Sequence, residues 1–342
     1  MDVRSFLRQS TVLVVAGKGG VGKTTTTAAL ARLAAGAGLS VLVVDLEGKS
    51  GLPSAFGSSG SLDYEEVVLF GDDRTRPAPG DPVPAGTVRA RRITPDDALL
   101  EYLADHGLRR VSKRLVHSGA IDVVSTAIPG IRDILVLGKV KQIERSQVAD
   151  LVLVDAPATG HAMTFLSSAR GLLDAARSGP VRSQAAEVVE LLGDPARCQV
   201  LLVTLPEEMP VNEVVEAAFA LEDRIGVALG PVVVNACLPD VPELDEDPAH
   251  AASCVGVTLT EDQRRALAAA AAFTRHRWSL QRQQLERMAE QLPLPQITMP
   301  HLVGDGVGPA ELTVLAHALA AGIEQLGSPR SSTRPRSPGG GP

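Results

Sequence analysis

The sequence predicts an α/β fold in which helices cover both faces of a doubly wound, mostly parallel sheet. Short apolar runs rich in β-branched residues alternate with segments long enough for helices, which is typical of parallel strands buried on both faces. The chain has 342 residues and is 44% hydrophobic, so it can bury a sizeable core. The predicted strands are residues 11–16, 41–44, 151–154, 200–203 and, as a fifth, 231–234.

Helical periodicity of leucine, valine and alanine marks four further segments, and we expect them to form a helical subdomain, roughly residues 96–192, interleaved with the sheet. These segments are residues 96–103, 107–116, 131–144 and 162–192. Two stretches rich in proline, glycine and acidic residues, 71–86 and 239–250, are predicted to be surface loops.

The ends of the chain differ in composition from the main domain, which we place at residues 11–326. Residues 1–10 are interpreted as an N-terminal extension. Residues 327–342 consist of Gly, Ser, Pro and Arg with one Thr, a composition that cannot form a core. We therefore expect a disordered tail.

Charge and cysteine content exclude several classes of protein. A formal net charge of −7 provides no basic field that would hold nucleic acid by counterion release. Cys198, Cys237 and Cys254 are scattered, without a C-x-x-C pair, which fits a reducing compartment. Because no apolar run is long enough to cross a bilayer, we expect a cytoplasmic protein that reaches a membrane only through a partner.

A phosphate-binding loop is predicted where the first strand meets a helix-forming run. The stretch GKGGVGKT matches G-x-x-x-x-G-K-[ST] in the strand and helix context that such a loop needs. Lys23 should reach the β- and γ-phosphates of ATP, and the Thr24 hydroxyl should ligate Mg²⁺. The predicted nucleotide-binding residues here are Gly17, Lys18, Gly19, Gly20, Val21, Gly22, Lys23, Thr24 and Thr25.

Carboxylates follow two other predicted strands. Asp155 comes directly after the run 149–154, at the end of a strand where a carboxylate can hold Mg²⁺ through water. Asp45 and Glu47 follow the strand 41–44.

Several strings together resemble the family of arsenite-pump and tail-anchored-protein-targeting ATPases, over about residues 11–326. The most specific is DAPATGH at 155–161, which is similar to the family's switch II segment, followed by the KGGVGKT of a deviant P-loop. Additional support comes from ITPDDALLEYL at 93–103, PGIRDILVLGKV at 129–140, TLPEE at 204–208 and MPHLVGDGVG at 299–308.

The resemblance implies roles for individual residues. Lys18 takes the position of the signature lysine, which acts across a dimer on the partner's nucleotide. Glu47 stands where the family has a water-orienting aspartate, and Asp45 remains a rival for that role because Gly48 and Lys49 replace the usual proline and alanine. Asn235, in a VVN element, would pair with adenine. Pro300 would begin the loop that closes over the base.

The family's dimeric cycle, and the positions where this chain differs from the family's pattern, determine which functions we consider. The family works as a dimer that opens and closes with ATP, and this chain would pair with itself or with a related ATPase subunit. Arsenite is disfavoured as a substrate, because no cysteine lies between residues 1 and 197. Zinc is not expected, because sixteen residues separate Cys237 from Cys254.

Several functional classes remain open at this point. The first is a chaperone or targeting ATPase whose client is an apolar polypeptide or a membrane protein, without specific nucleic acid. The others are the ATPase subunit of an anion or metalloid efflux system, a partitioning-type positioning ATPase, and a nucleotide-holding subunit with low turnover. DAPATGH argues against the partitioning type, and Glu47 motivates the low-turnover type.

Overall fold

A computed structural model describes residues 1–48, 51–71, 82–105, 130–304 and 306–326 of the chain. In this described part, nine strands form one sheet. They are β1 (Val12–Gly17), β2 (Val41–Asp45), β3 (Val67–Phe70), β4 (Val88–Arg92), β5 (Leu151–Ala158), β6 (Cys198–Thr204), β7 (Ala228–Leu229), β8 (Val232–Cys237) and β9 (Gln296–Pro300).

The sheet is mostly parallel, which confirms the predicted fold class. Its order is β3-β4-β2-β5-β1-β6-β8-β9, with β7 paired to β6, and the edge strand β3 runs antiparallel to β4. All five predicted strands are present as β1, β2, β5, β6 and β8. Since these strands are parallel neighbours, their carboxyl ends meet along one edge of the sheet.

Helices cover both faces of this sheet. They are α1 (Val3–Leu7), α2 (Lys23–Gly36), α3 (Leu52–Ala55), α4 (Pro95–Asp105), α5 (Ile131–Ser146), α6 (Thr159–Ala175), α7 (Pro180–Gly193), α8 (Glu208–Ala220), α9 (Pro248–Cys254), α10 (Glu261–Gln291) and α11 (Pro309–Gln325). A π-helical turn, Leu221–Ile225, continues α8, and a 3₁₀ turn, Pro242–Asp245, precedes α9.

Two hydrophobic clusters lie on the two faces of the sheet, because successive side chains of a strand point in opposite directions. Val12 and Val14 of β1 belong to a cluster completed by α4 to α8 and the end of α10. Leu13 and Val15 belong to a second cluster with α1, α2, α3 and α11. Leu30 of α2 is 1% exposed in that second cluster, so truncating it to alanine should cost about 2–5 kcal/mol.

Helix boundaries differ from the sequence prediction in two places. The segment 162–192, expected to be continuously helical, is divided into α6 and α7, because Gly179 adopts φ 98° and Pro180 starts a new helix. The longest helix, α10, was not predicted at all, although Thr260 and Gln263 form a capping box at its start. The expected loop 239–250 contains the 3₁₀ turn and the beginning of α9.

The domain boundaries remain predictions, but packing bears on them. The predicted extension 1–10 contains α1, whose Leu7 is fully buried in the second cluster. Helices α5, α6 and α7 share one hydrophobic cluster with the sheet. The expected helix 107–116, most of the loop 71–86 and the tail 327–342 lie outside the described residues. No helix in the described ranges has the length and apolar character that crossing a membrane requires.

Candidate functional site

The loop between β1 and α2 has the backbone geometry that the glycine-rich motif predicts. Gly20 and Gly22 adopt φ 87° and 93°, a left-handed conformation that side chains disfavour. A Cβ at Gly17 would collide with the carbonyl oxygen of Val203 on β6. Glycine is therefore needed for the turn at two positions and for close strand packing at a third. The loop delivers the N-terminus of α2 to the carboxyl edge of the sheet, where its N–H groups favour an anion.

The two lysines of the loop are placed differently. Lys23, at the first position of α2, is only 7% exposed, and its Nζ donates to the carbonyl oxygen of Lys18 at 3.3 Å. Lys18 points the other way, and its Nζ lies 2.5 Å from Oε1 of Glu213 on α8. Both side chains of this ion pair are about a third or more exposed, so it stabilises the fold by under about 1 kcal/mol.

Asp155, on β5, faces the first turns of α2. Its Oδ2 accepts from the Thr24 hydroxyl at 2.6 Å, and its Oδ1 accepts from the Thr27 hydroxyl at 3.4 Å. Burial, opposed by the Thr24 hydrogen bond and reinforced by the nearby charge of Asp45, raises the pKa of Asp155 to about 6. The buried carboxylate thus lacks full compensation for its charge.

Asp45 and Glu47 have separate structural positions. Asp45 pairs in register with Asp155 across β2 and β5, is 1% exposed, and accepts from the backbone N–H groups of Glu47 and Gly48 at 3.1 and 3.2 Å. Glu47 is exposed, and its Oε1 accepts from the backbone N–H of Ala158 at 2.9 Å. Asp45 therefore shapes the turn after β2, whereas Glu47 joins that turn to the end of β5.

The residues predicted to contact adenine lie further along the sheet edge. The Asn235 side-chain amide donates to the carbonyl oxygen of Val21 at 2.9 Å, which ties β8 to the phosphate loop. Pro300 ends β9 opposite Cys237 of β8. The base contacts of both residues stay predictions, and the contact of Asn235 with the loop is an additional role that the sequence did not indicate.

The remaining loop residues complete what we call the phosphate cradle, residues 17–25 together with Asp155. Gly19 and Gly20 are exposed, and Val21 is 1% exposed beneath them. Thr25 is half-buried in the first turn of α2. Exposed backbone above a buried valine is the arrangement that leaves N–H groups free to meet phosphate oxygens.

The donor set fits a hydrated divalent cation. Thr24 provides a hydroxyl and Asp155 a carboxylate at one point, 2.6 Å apart, and oxygen ligands of this kind suit Mg²⁺. A cation would also supply the positive charge that the buried Asp155, with Asp45 beside it, requires. Thr24 and Asp155 are therefore the residues that would hold Mg²⁺ together with the phosphates.

A cleft of about 930 Å³ opens beside the phosphate loop. Lys18 and Gly19 form one wall, and α8 forms the other with Glu213 and the exposed ring of Phe219. Sequence reasoning did not identify Glu213, because 195 positions separate it from Lys18 and no motif connects the two. The string TLPEE at 204–208 marked the neighbourhood without selecting this residue.

Comparisons with known proteins identify a family model and several relatives, which match different lengths of this chain. A family model described as the CobQ/CobB/MinD/ParA nucleotide binding domain matches residues 12–303. ATPase BagA of Mycobacterium tuberculosis is 32% identical over 326 residues, which cover 90% of this chain and 92% of the relative.

Two further relatives match over shorter segments. A Halobacterium salinarum protein that carries the name of an arsenical pump-driving ATPase is 27% identical over 258 residues, 68% of this chain and 36% of its own length. ATPase get3 of Schizosaccharomyces japonicus is 30% identical over 167 residues, 48% of this chain and 46% of its own. All three relatives are named as ATPases.

Proposed function

We propose that this chain, which belongs to the CobQ/CobB/MinD/ParA nucleotide-binding domain family and is an ATPase of this P-loop superfamily, is a dimeric switch. The switch would hydrolyse ATP with Mg²⁺ and thereby control the binding of an apolar client. The observation that carries the proposal is that the buried cation of Lys23 and the hydrogen bond between Thr24 and Asp155 lie together at the start of α2. Phosphate and Mg²⁺ would meet there, with the exposed carboxylate of Glu47 nearby.

Each residue of the cradle has a task in this reaction. The loop N–H groups and Lys23 would bind the β- and γ-phosphates, and the bound Mg²⁺ would neutralise charge that develops on the phosphate oxygens. Glu47, exposed and adjacent to the cradle, would orient the attacking water. Asp45 is less suited to that task, because it is buried and already accepts two backbone hydrogen bonds.

The position of Lys18 supports action between subunits. Its side chain turns away from its own loop toward Glu213 and borders the open cleft, so it is available to a neighbouring molecule. A lysine supplied in trans would stabilise the transition-state charge on the partner's nucleotide, in the manner of an arginine finger. The ion pair with Glu213 would then be the resting contact of this lysine.

A physical path connects the nucleotide to the helices. Glu47 joins the turn after β2 to Ala158, and α6 begins immediately after Ala158. Helix α6 packs against α5 and α7 in one cluster. A change at the γ-phosphate that moves Glu47 would therefore displace α6, and we infer that client binding follows this displacement.

The state of the cysteines supports this reading over metalloid transport. Similarity alone leaves metalloid transport open, because one relative is named as an arsenical pump-driving ATPase. Burial raises the pKa of the Cys198 thiol to about 12 and that of Cys237 to about 11. Neither thiol would form the thiolate that binds a metalloid, and the third, Cys254, is exposed by itself on α9.

The direct test combines turnover with client capture. Phosphate release by the purified protein should require ATP and Mg²⁺, and a peptide with one apolar, membrane-length helix should crosslink in a nucleotide-dependent manner. A matched peptide with two lysines at its centre should crosslink much less. Phosphate release without capture of any apolar peptide would contradict the proposed client binding, but it would leave the proposed ATP hydrolysis intact. DNA bound only with ATP would favour the positioning class.

A further inference from the structure

The longest helix carries an exposed segment that the nucleotide site does not use. We call residues 261–280 of α10 the arm. The following part of α10 is anchored, since Met288 is fully buried and the Gln281 side chain bonds to the backbone of Leu238 and Ala236 at 2.8 and 3.4 Å. In the arm, residues 261–270 are all exposed, and an ion pair between Arg275 and Asp245 at 2.7 Å connects it to the 3₁₀ turn.

Local interactions explain why the fully exposed first half of the arm, residues 261–270, is helical. A capping box begins it, and Arg264 and Arg265 pair with Glu261 and Asp262 three residues earlier. Such pairs and a run of alanines stabilise an isolated helix. They do not explain Phe273 and Leu280, which are 64% and 44% exposed.

These apolar side chains belong to a stripe with a defined charge pattern. Its members recur every three or four residues and so lie on one face of the helix. The stripe has an acidic end, a flat alanine centre and a basic end. It consists of Asp262, Ala266, Ala269, Phe273, Arg277 and Leu280.

We propose that this stripe is a docking surface for the same stripe of a second copy of the chain, in antiparallel orientation. Centring the pair between Ala269 and Ala270 sets Asp262 of one copy opposite Arg277 of the other. The same register sets Phe273 over Ala266, where the small side chain leaves room for a ring. The paired length from Asp262 to Arg277 is about 22 Å.

Charge complementarity decides both the occupant and the direction. A parallel pair would place Asp262 against Asp262 and Arg277 against Arg277, and like charges in contact disfavour association. Among the described residues Arg277 has no ion-pair partner, and the pair of Asp262 with Arg265 is exposed on both sides and easily exchanged. An apolar peptide or a lipid surface would leave both charges unmatched.

The inference does not rest on ATP turnover, because no residue of the stripe touches the phosphate cradle. Helix α10 contacts α8 in its anchored part, where the Arg287 guanidinium donates to the carbonyl oxygen of Glu208 at 3.2 Å.

A pair of neighbouring cysteine variants tests the contact. In a Cys254→Ser background, which removes the exposed native thiol, Ala269→Cys should form a disulfide-linked dimer on mild oxidation, because residues at the centre of an antiparallel pair approach within disulfide range. Ala268→Cys, exposed on a different face, is the matched control and should form no disulfide-linked dimer. Equal crosslinking of both variants, or no crosslinking of Ala269→Cys, would overturn the proposal.

Charge reversal provides an independent measurement on the full chain. Arg277→Glu alone and Asp262→Lys alone should each weaken self-association by about tenfold or more in sedimentation equilibrium, because each sets like charges opposite each other. The double variant should recover most of the loss. Association that is unchanged in the single variants, or not restored in the double variant, would contradict the antiparallel register.

Discussion

The phosphate cradle and the arm differ in whether their key side chains have partners within the chain. In the cradle, Lys23 and Asp155 are buried and bonded to neighbours that the motif itself supplies. In the arm, Phe273 and Leu280 are exposed, and no part of the chain that the structure describes covers either of them. The cradle is thus a preorganised site for a small anion, whereas the arm has the pattern of a surface that another protein completes. The two regions should respond independently to substitution.

The largest effect should come from Lys23→Ala in the cradle. The variant loses the buried cation of the phosphate loop, so ATP affinity should fall by about 10²-fold or more, measured by calorimetry with Mg²⁺. Arg277→Glu in the arm should bind ATP like the unmodified protein. Loss of nucleotide affinity in the arm variant would show that the two regions are coupled, and would break the comparison.

A comparable loss of turnover should follow Glu47→Gln, with ATP affinity retained. The amide cannot accept a proton from water, so hydrolysis should fall by about 10²-fold and ATP should accumulate in the closed dimer. Asp45→Asn should instead loosen the turn at Gly48, because Asp45 holds two backbone N–H groups there. Size-exclusion chromatography with ATP compares the two. An ATP-locked dimer from Asp45→Asn alone would transfer the water-orienting role to Asp45.

Sequence patterns predicted the cradle and the central strands because their information is local. The phosphate loop needs glycines and a lysine at fixed spacing, and buried parallel strands need continuous apolar runs. Strand β4, by contrast, has the sequence VRARR, whose arginines hide it from a hydropathy pattern. The capping box at Thr260 was a signal that could have found α10.

Other features depend on contacts that no local pattern records. The pair of Lys18 with Glu213 joins positions 195 apart in the sequence. Asn235 was interpreted as an adenine contact, and its bond to Val21 arises only because β8 passes beside the loop in the folded sheet. Features of this kind depend on tertiary packing, so they became visible only in the structure.

A smaller effect, on stability, should follow Asp155→Asn. Burial raises the pKa of Asp155 from 3.8 to about 6, so ionisation destabilises the nucleotide-free fold as pH rises from about 4 to about 6. At pH 7.5 the neutral amide should stabilise the protein by about 1–2 kcal/mol, and near pH 4 that advantage should vanish. Urea unfolding at both pH values measures this. An equal gain in the free energy of unfolding at both pH values would mean that the gain does not come from the ionisation of Asp155. In Asp155→Asn, the stabilisation of the fold by ATP with Mg²⁺ should be lost, because the carboxylate that would hold the cation is gone.

The smallest effect should come from Glu213→Gln, which removes the resting partner of Lys18. Since the ion pair is partly exposed, freeing the lysine should raise turnover by no more than about fivefold and leave ATP affinity unchanged. Glu216→Gln, on the same helix and in the same cleft, is the matched control. A fall in the turnover of Glu213→Gln would show that Glu213 assists Lys18 instead of restraining it.

Mixing two inactive variants tests the central claim, that each subunit completes its neighbour's site. Lys18→Ala retains Glu47 but lacks the lysine given in trans, whereas Glu47→Gln retains Lys18. After subunit exchange, a mixed dimer has one complete site, so phosphate release by an equal mixture should recover to about a quarter of the unmodified rate. Turnover of the mixture no higher than that of the separate variants would contradict catalysis across the dimer.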